Sequence, residues 1–184
     1  MNRIFSLRCH PKNNNICVTG GWDGMMKIYD LRQKCPIASI GGFYGCGDSI
    51  DLFDDMIVTG STRNQEVMQM FSLSQMSLVH TWDFNKYSKD RNTGHVLATR
   101  ISKDGNFIFA GGAGKNDLRV FANNCETTAD FKLLMEIKEL PSAVTTIDVS
   151  PNPARPQFTL GCSNGQLINI KYDVDYTNEQ FEPY

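Results

Sequence analysis

The first stretch of this chain that could do chemistry is Gly161-Cys162-Ser163-Asn164-Gly165, a match to G-x-S-x-G. In hydrolases that pattern puts a nucleophilic serine on a sharp turn between a strand and a helix, with an Asp and a His following in the chain. Here the alternating stretch "QLINIKYD" follows, and no His lies beyond Ser163. It therefore reads as a turn between two strands. A second stretch, Gly111 to Asp117 ("GGAGKND"), suggests a phosphate loop. Such a loop needs G-x-x-x-x-G-K-[ST] feeding a helix. Phe109 stands where the first glycine belongs, Asn116 follows the lysine, and the strand-like "LRVF" comes next. The histidines His10, His80 and His95 show no H-x-H or H-x-x-x-H spacing, so no local metal site is expected. The carboxylate pairs Asp54-Asp55 and Asp173/Asp175 lie in turns or in the tail, where they read as solvated turn formers. No catalytic set, cofactor site or metal site is expected.

Composition narrows the classes further. The chain of 184 residues carries 18 basic and 20 acidic side chains, a net charge of −2. That balance argues against a protein that binds nucleic acid by neutralising phosphates, and against a polybasic membrane surface. No apolar run is long enough to span a bilayer, and the N-terminal residues lack the apolar core of a signal peptide. Cys9, Cys17, Cys35, Cys46, Cys125 and Cys162 form no C-x-x-C pair, and most sit in apolar stretches. They are expected to be buried reduced thiols of a cytoplasmic protein.

The elements come from a repeat. "NICVTGGWDGMMKIYDL" recurs as "DMIVTGSTRNQEVMQMFSL", as "NFIFAGGAGKNDLRVFANN" and as "QFTLGCSNGQLINIKYD". Each copy is an apolar strand, a turn of small residues and an alternating strand. Tyr29, Phe71, Phe121 and Ile170 close the second strand of each copy, so the copies recur after 42, 50 and 49 residues. A period of about 40–50 residues is that of a propeller or a solenoid. Another short strand precedes each copy, and a further one follows three of them ("CPIASIG", "SLVHTWDF" and "FKLLMEIKEL"). Four antiparallel strands make one propeller blade.

"TGGWDGMMKIYDLR" resembles a WD40 repeat, with "HP", "SKDG" and "SPNP" at the first corner of three blades. The resemblance implies an all-β fold, a WD40-type β-propeller. It places Tyr29-Asp30 where the family has Trp-Asp, and leaves Trp22-Asp23 in the turn before that strand. It implies a buried network of Thr19, Asp23 and Tyr29, with no His ahead of them in the family's place. His95, after Gly94, resembles the family's Gly-His. In the other blades the pattern loosens: the second has the longer turn "STRNQE", Asp117 falls late in the third, and the fourth has Asn164 and Ile170 in the Asp and aromatic places. Fewer such networks mean blades held more by apolar packing.

The expected architecture is a partial ring of four four-stranded blades at about 1–42, 43–84, 94–140 and 141–172, with an acidic tail at 173–184. The last blade lacks its outer strand. An open arc leaves apolar faces and strand edges to be covered. Three covers are weighed: the rest of a seven-bladed chain, a second chain, or a second copy in an eight-bladed ring. The first is preferred, because an N-terminal strand closing the ring would supply the absent outer strand.

The function this implies is a non-enzymatic platform for protein–protein contacts within a multiprotein complex. Partner contacts are expected from the loop residues Lys86, Tyr87, Lys89 and Arg91 and from the tail aromatics Tyr176, Phe181 and Tyr184. Two alternatives stand beside it. Tyr29-Asp30-Leu31-Arg32 resembles the box by which some WD40 substrate receptors of cullin-RING ubiquitin ligases present an arginine to their adaptor, so Arg32 is a further partner-binding candidate. A structural subunit of a cytoskeletal or ciliary assembly is the other.

Overall fold

The computed structural model describes residues 3–82, 94–123, 131–151 and 157–171. Fifteen short strands run in chain order through these residues, and each set pairs only with its sequence neighbours. Blade one is β1 (Ile4–Cys9), β2 (Ile16–Gly21), β3 (Met25–Asp30) and β4 (Pro36–Gly41). Blade two is β5 (Ile50–Phe53), β6 (Met56–Gly60), β7 (Met68–Ser72) and β8 (Ser77–Trp82). Blade three is β9 (His95–Ile101), β10 (Phe107–Ala113), β11 (Leu118–Asn123) and β12 (Phe131–Ile137). Blade four, among the described residues, is β13 (Val144–Val149), β14 (Gln157–Cys162) and β15 (Leu167–Lys171), without an outer strand.

The local reasons are those of antiparallel meanders. In β3 every second residue is buried, the period of a pleated strand. Asp23 and Gly24 close the turn before it. Asp23 Oδ1 accepts the Met25 N–H at 3.2 Å, and Gly24 takes the left-handed φ of 70°. Asn164 Oδ1 accepts the Gln166 N–H at 3.1 Å in blade four, so the Asn does the same turn work there. After Cys162 and Ala113 the chain turns back into β15 and β11, strands rather than helices. The serine turn and the glycine turn are thus both inter-strand connections.

The core lies between the blades rather than within them. Val18, Met26 and Ile28 of blade one meet Ile50, Ile57 and Phe71 of blade two. Val58, Met68 and Met70 of blade two meet Val96, Ile108 and Phe121 of blade three, with the Trp82 ring 5.8 Å from that of Phe121. Phe109, Leu118 and Val120 of blade three meet Ile147, Phe158 and Leu160 of blade four. Each blade thus has a rear face toward the preceding blade and a forward face toward the next. The aromatic position closing the third strand points to the rear: Phe71 and Phe121 are buried there, and Ile170 packs partly into the third cluster.

Blade three holds the tightest backbone approach. A bulge separates Gly111 from Gly112, and a Cβ on Gly112 would stand 1.6 Å from the His95 carbonyl oxygen. Only glycine fits, because the obstacle is backbone and cannot rotate away. Gly112→Ala is expected to cost about 3 kcal/mol of stability in urea unfolding; an unchanged midpoint would remove this contact from the account.

Candidate interaction surfaces

The inner strands converge on Asp48, in the connection between β4 and β5. Its carboxylate takes a guanidinium from Arg8 of β1 and another from Arg100 of β9. The Thr146 hydroxyl of β13 donates to it at 2.9 Å, and its own carbonyl accepts the Thr99 N–H at 3.0 Å. One residue of the blade-two approach therefore bonds to the inner strands of the other three blades. Asp51 of β5 adds to this hub. It accepts the Ile101 N–H at 2.7 Å and lies 3.5 Å from Arg8 Nε. Burial pushes its carboxyl above the usual range, against the opposing pull of that N–H and of both arginines.

A second buried polar group sits between blades two and three. Arg119 on β11 is 1% exposed. Its guanidinium lies 3.0 Å from Glu136 on β12 and 3.1 Å from Asp117. Burial raises the Asp117 carboxyl above its usual range, and the Arg119 charge opposes that rise.

At one rim of the arc, the β2–β3 turn, the connection from β4 and the turn after β6 are stitched together. The Gly24 carbonyl accepts from Gly42 and Phe43 N–H at 3.0 and 3.1 Å, and the Tyr44 carbonyl accepts the Thr62 N–H at 2.9 Å. Two exposed aromatics stand on this fixed frame. Trp22 is 66% exposed, rests against the Phe5 ring at 5.1 Å, and carries Arg3 above its face at 5.6 Å. Tyr44 is 47% exposed and carries Arg63 at 4.2 Å. The turn of residues 62–66 frames a shallow hollow beside it. The letters Trp22-Asp23 thus do lie in a turn, yet the tryptophan is the largest exposed side chain there.

The residues singled out from sequence are placed as follows. Thr19 is buried on β2, opposite Lys27 in the register, and Tyr29 is half-buried two residues further along the same face. Asp23 pairs with the Lys27 ammonium across the turn, which holds its carboxyl below the usual range. Lys27 is the partner that the sequence reading missed; its signal was the spacing of four from Asp23. His95 opens β9, and its Nδ1 is buried with no hydrogen-bond partner among the described residues. His10 caps its corner: Nδ1 accepts the N–H groups of Lys12 and Asn13 at 3.0 and 2.9 Å, which leaves Nε2–H to donate to the Asp54 carbonyl at 3.0 Å.

Arg32 is bound to its own neighbour. Its Nε and Nη2 reach the two Asp30 oxygens at 2.9 and 2.6 Å, and this pairing brings the Asp30 carboxyl down to about 2. The Arg32 side chain is otherwise 69% exposed. Lys86, Tyr87, Lys89, Arg91, Tyr176, Phe181 and Tyr184 lie outside the described residues.

The cysteines need a correction. Cys17 and Cys162 are buried and Cys46 half-buried, but Cys9 and Cys35 are exposed. Cys9 ends the edge strand β1 between Arg8 and His10, and Cys35 follows Lys34 in the turn before the other edge strand; neither lies within an apolar run, whereas Cys17, opposite Cys9 on the interior strand β2 of the same sheet, is buried. Cys125 lies outside the described residues.

The comparisons with known proteins agree with this geometry. Residues 2–30 match the family model for the WD domain, G-beta repeat. No curated protein matches the chain. A chain in the crystal structure of the Mitotic Checkpoint Complex is similar at a TM-score of 0.75 and 14% identity, over 92% of this chain and 50% of that one. The computationally designed Ika4 protein is similar at 0.67 and 17% identity, over 93% of this chain and 92% of that one. The computationally designed Ika8 protein is similar at 0.66 and 18% identity, over 92% of this chain and 46% of that one. This chain thus spans about half the length of the checkpoint-complex chain that it matches. With a matched repeat in its first blade and three more blades of the same build, the chain has the fold of a WD40-type β-propeller.

Proposed function

We propose that the chain is a non-enzymatic platform that binds other proteins within a larger complex, and that it does so through the rim carrying Trp22 and Tyr44. The observation that supports this reading is the pair of exposed aromatics, each with an arginine over its face, on turns fixed by backbone hydrogen bonds. Trp, Tyr and Arg are the side chains that most often dominate binding energy at interfaces. Rigid turns lose little entropy when a partner docks. Such a platform belongs in the cytoplasm on the cysteine usage above. The adaptor reading asks more of Arg32, which must leave Asp30 or offer its remaining edge.

The test is an affinity measurement on partners recovered from the source cell by cross-linking. Trp22→Ala with Arg63→Glu is expected to weaken the rim-bound partner about 30-fold. Arg32→Glu is expected to leave that partner unaffected. Equal binding by the rim variant would remove this surface, and loss on Arg32→Glu alone would favour the adaptor.

A further inference from the structure

Blade one puts two cysteines where the other blades put apolar pairs. Cys9 of β1 lies directly opposite Cys17 of β2. The same place in blades two, three and four holds Leu52 and Ile57, Ile101 and Ile108, and Val149 and Phe158, all buried. The backbone sets how the two thiols meet. One step along the ladder, the His10 N–H donates to the Ile16 carbonyl at 2.9 Å, so those two residues face each other across a hydrogen bond. Hydrogen-bonded and non-hydrogen-bonded pairs alternate along an antiparallel ladder, which makes Cys9 and Cys17 a non-hydrogen-bonded pair. Such a pair brings its Cα atoms to about 4.5 Å and holds its side chains on one face at their closest. A disulfide spans Cα atoms about 4.4–6.8 Å apart, so this place falls at the near end of its reach.

We propose that Cys9 and Cys17 form a redox-modification site, a dithiol that a small-molecule disulfide such as oxidised glutathione converts reversibly into a cross-strand bond between β1 and β2. The two sulfurs have different tasks. Cys9 is exposed and Cys17 is only 6% exposed, so the oxidant meets Cys9. The Cys9 thiolate attacks one sulfur of the glutathione disulfide, forming a mixed disulfide and releasing one glutathione thiolate. Cys17 then gives up its proton and attacks the Cys9 sulfur, and the second glutathione leaves as its thiolate. Two electrons pass from the cysteine pair to glutathione, and the two released thiolates take up the two protons. Excess reduced glutathione runs both steps backward. Burial pushes the Cys17 thiol up, and a negative charge on Cys9 pushes it further. Cys17 therefore waits as a thiol and acts as the resolving partner inside the sheet, not as the first nucleophile.

The other described thiols are not placed this way. Cys162 faces Val144 across its ladder, and Cys35 and Cys46 lie in connections between strands. The Cys9–Cys17 bond closes only the short corner of residues 10–16. A short loop gives a disulfide little to remove from the unfolded chain, which suits a bond that is made and reduced rather than a permanent staple. Its effect on the fold is local. β1 is an edge strand of its sheet, it carries Arg8 to Asp48, and its Phe5 ring rests against Trp22. Bonding the C-terminal end of β1 to β2 ties that strand to the sheet interior. The site goes beyond the reading of the chain as a binding platform and does not depend on it.

The experiment equilibrates the folded 184-residue chain in glutathione buffers of rising oxidised share, quenches with acid and alkylates the free thiols. Trypsin cuts after Arg8, Lys12 and Lys27, so the bond is read by mass spectrometry as residues 9–12 joined to residues 13–27. That cross-link is expected to form first among the six cysteines and to vanish when reduced glutathione is restored. Amide exchange in β1 is expected to slow about 10-fold in the oxidised chain, with β7 and β11 unchanged. Cys17→Val, aliphatic like the residues at this place in blades two and three, removes the resolving thiol and is expected to leave glutathione held on Cys9. Cys9→Ser is expected to leave Cys17 unmodified by the same buffers. The cross-link is read on the unaltered chain, so the test stands even where a variant folds poorly. No bridge at any buffer composition, glutathione resting on Cys9 of the unaltered chain, or bridges equally frequent between other cysteines would overturn the site. None of these results touches the rim partner, which Trp22→Ala tests separately.

Discussion

Replacing Arg119 by methionine is expected to lower the stability of the fold by about 4 kcal/mol, the scale of breaking a buried ion pair from one side. The methionine replaces the aliphatic stem well, so packing loss is a minor part. The cost comes from Asp117 and Glu136, which keep their places between blades two and three after losing the cation 3.1 and 3.0 Å away. Lys138 still reaches Glu136 at 2.9 Å, but it is 67% exposed and cannot follow the carboxylates inward.

The pH dependence separates this account from a simple packing defect. The Asp117 carboxyl already lies above its usual range in the native protein because burial disfavours its charge. Without Arg119 it rises further. A carboxyl whose folded pKa exceeds its unfolded one destabilises the fold above the unfolded value, near 4, and the penalty vanishes as both states become protonated below it. The deficit of Arg119→Met is therefore expected to shrink on acidification from pH 7 toward pH ~4. Combining it with Asp117→Asn and Glu136→Gln should recover much of the loss at neutral pH. The equivalent cation of blade one is the control: Lys27 is 32% exposed, and Lys27→Met is expected to cost under about 1 kcal/mol. Equal effects at the two positions, or a deficit for Arg119→Met that ignores pH, would sink the burial argument.

The contrast between those two cations shows what the sequence could and could not convey. The blades were legible because one physical pattern recurs: apolar strand, turn of small residues, alternating strand. Tyr29 and Phe121 close their strands for the same reason, and each repeat carries the same bias. Lys27 and Arg119 hold the same place in the repeat too, yet one is half-exposed and the other sealed. What differs is the blade in front of them, which covers the rear face of blade three and leaves that of blade one open. No residue within either repeat encodes that difference. Cys9 was misjudged for another reason: it stands between Arg8 and His10 at the end of an edge strand, and Cys17 opposite it on the same face is the buried one. Asp117 read as an acid displaced from its turn; it is instead placed to meet Arg119 two residues on. The repeat assigns the aromatic role to Tyr29 and leaves Trp22 in the turn, and nothing in the repeat conveys how far that turn exposes it.

Asp48 was the least legible residue of all, because its partners Arg8, Arg100 and Thr146 lie 40, 52 and 98 residues away in the chain. Asp48→Ala is expected to cost about 3 kcal/mol, since hydrogen bonds to charged groups contribute about 1.5–3 kcal/mol each and part of the loss is made up by water at this partly open hub. The variant leaves Arg8 and Arg100 facing each other with no shared counter-charge, while Asp51 remains beside Arg8 at 3.5 Å. Their repulsion is open to solvent screening: the two guanidinium side chains are 27% and 14% exposed. Raising the salt from 0.05 to 0.5 M, which takes the Debye length from roughly 14 to 4 Å, should thus restore some of the loss in Asp48→Ala. The same salt step should weaken the parent hub, so the two unfolding midpoints are expected to converge. Asp48→Asn keeps an acceptor for Thr146 without the charge, and should fall between them. The consequence for binding follows from position. Asp48 joins the inner strands of blades one, three and four to the approach of blade two, and so fixes the angle between the two end faces. Faster amide exchange in β1 and β13 of Asp48→Ala, with β7 and β11 unchanged, would show the arc opening at its axis; uniform exchange across all fifteen strands would mean that apolar packing alone holds the blades in place.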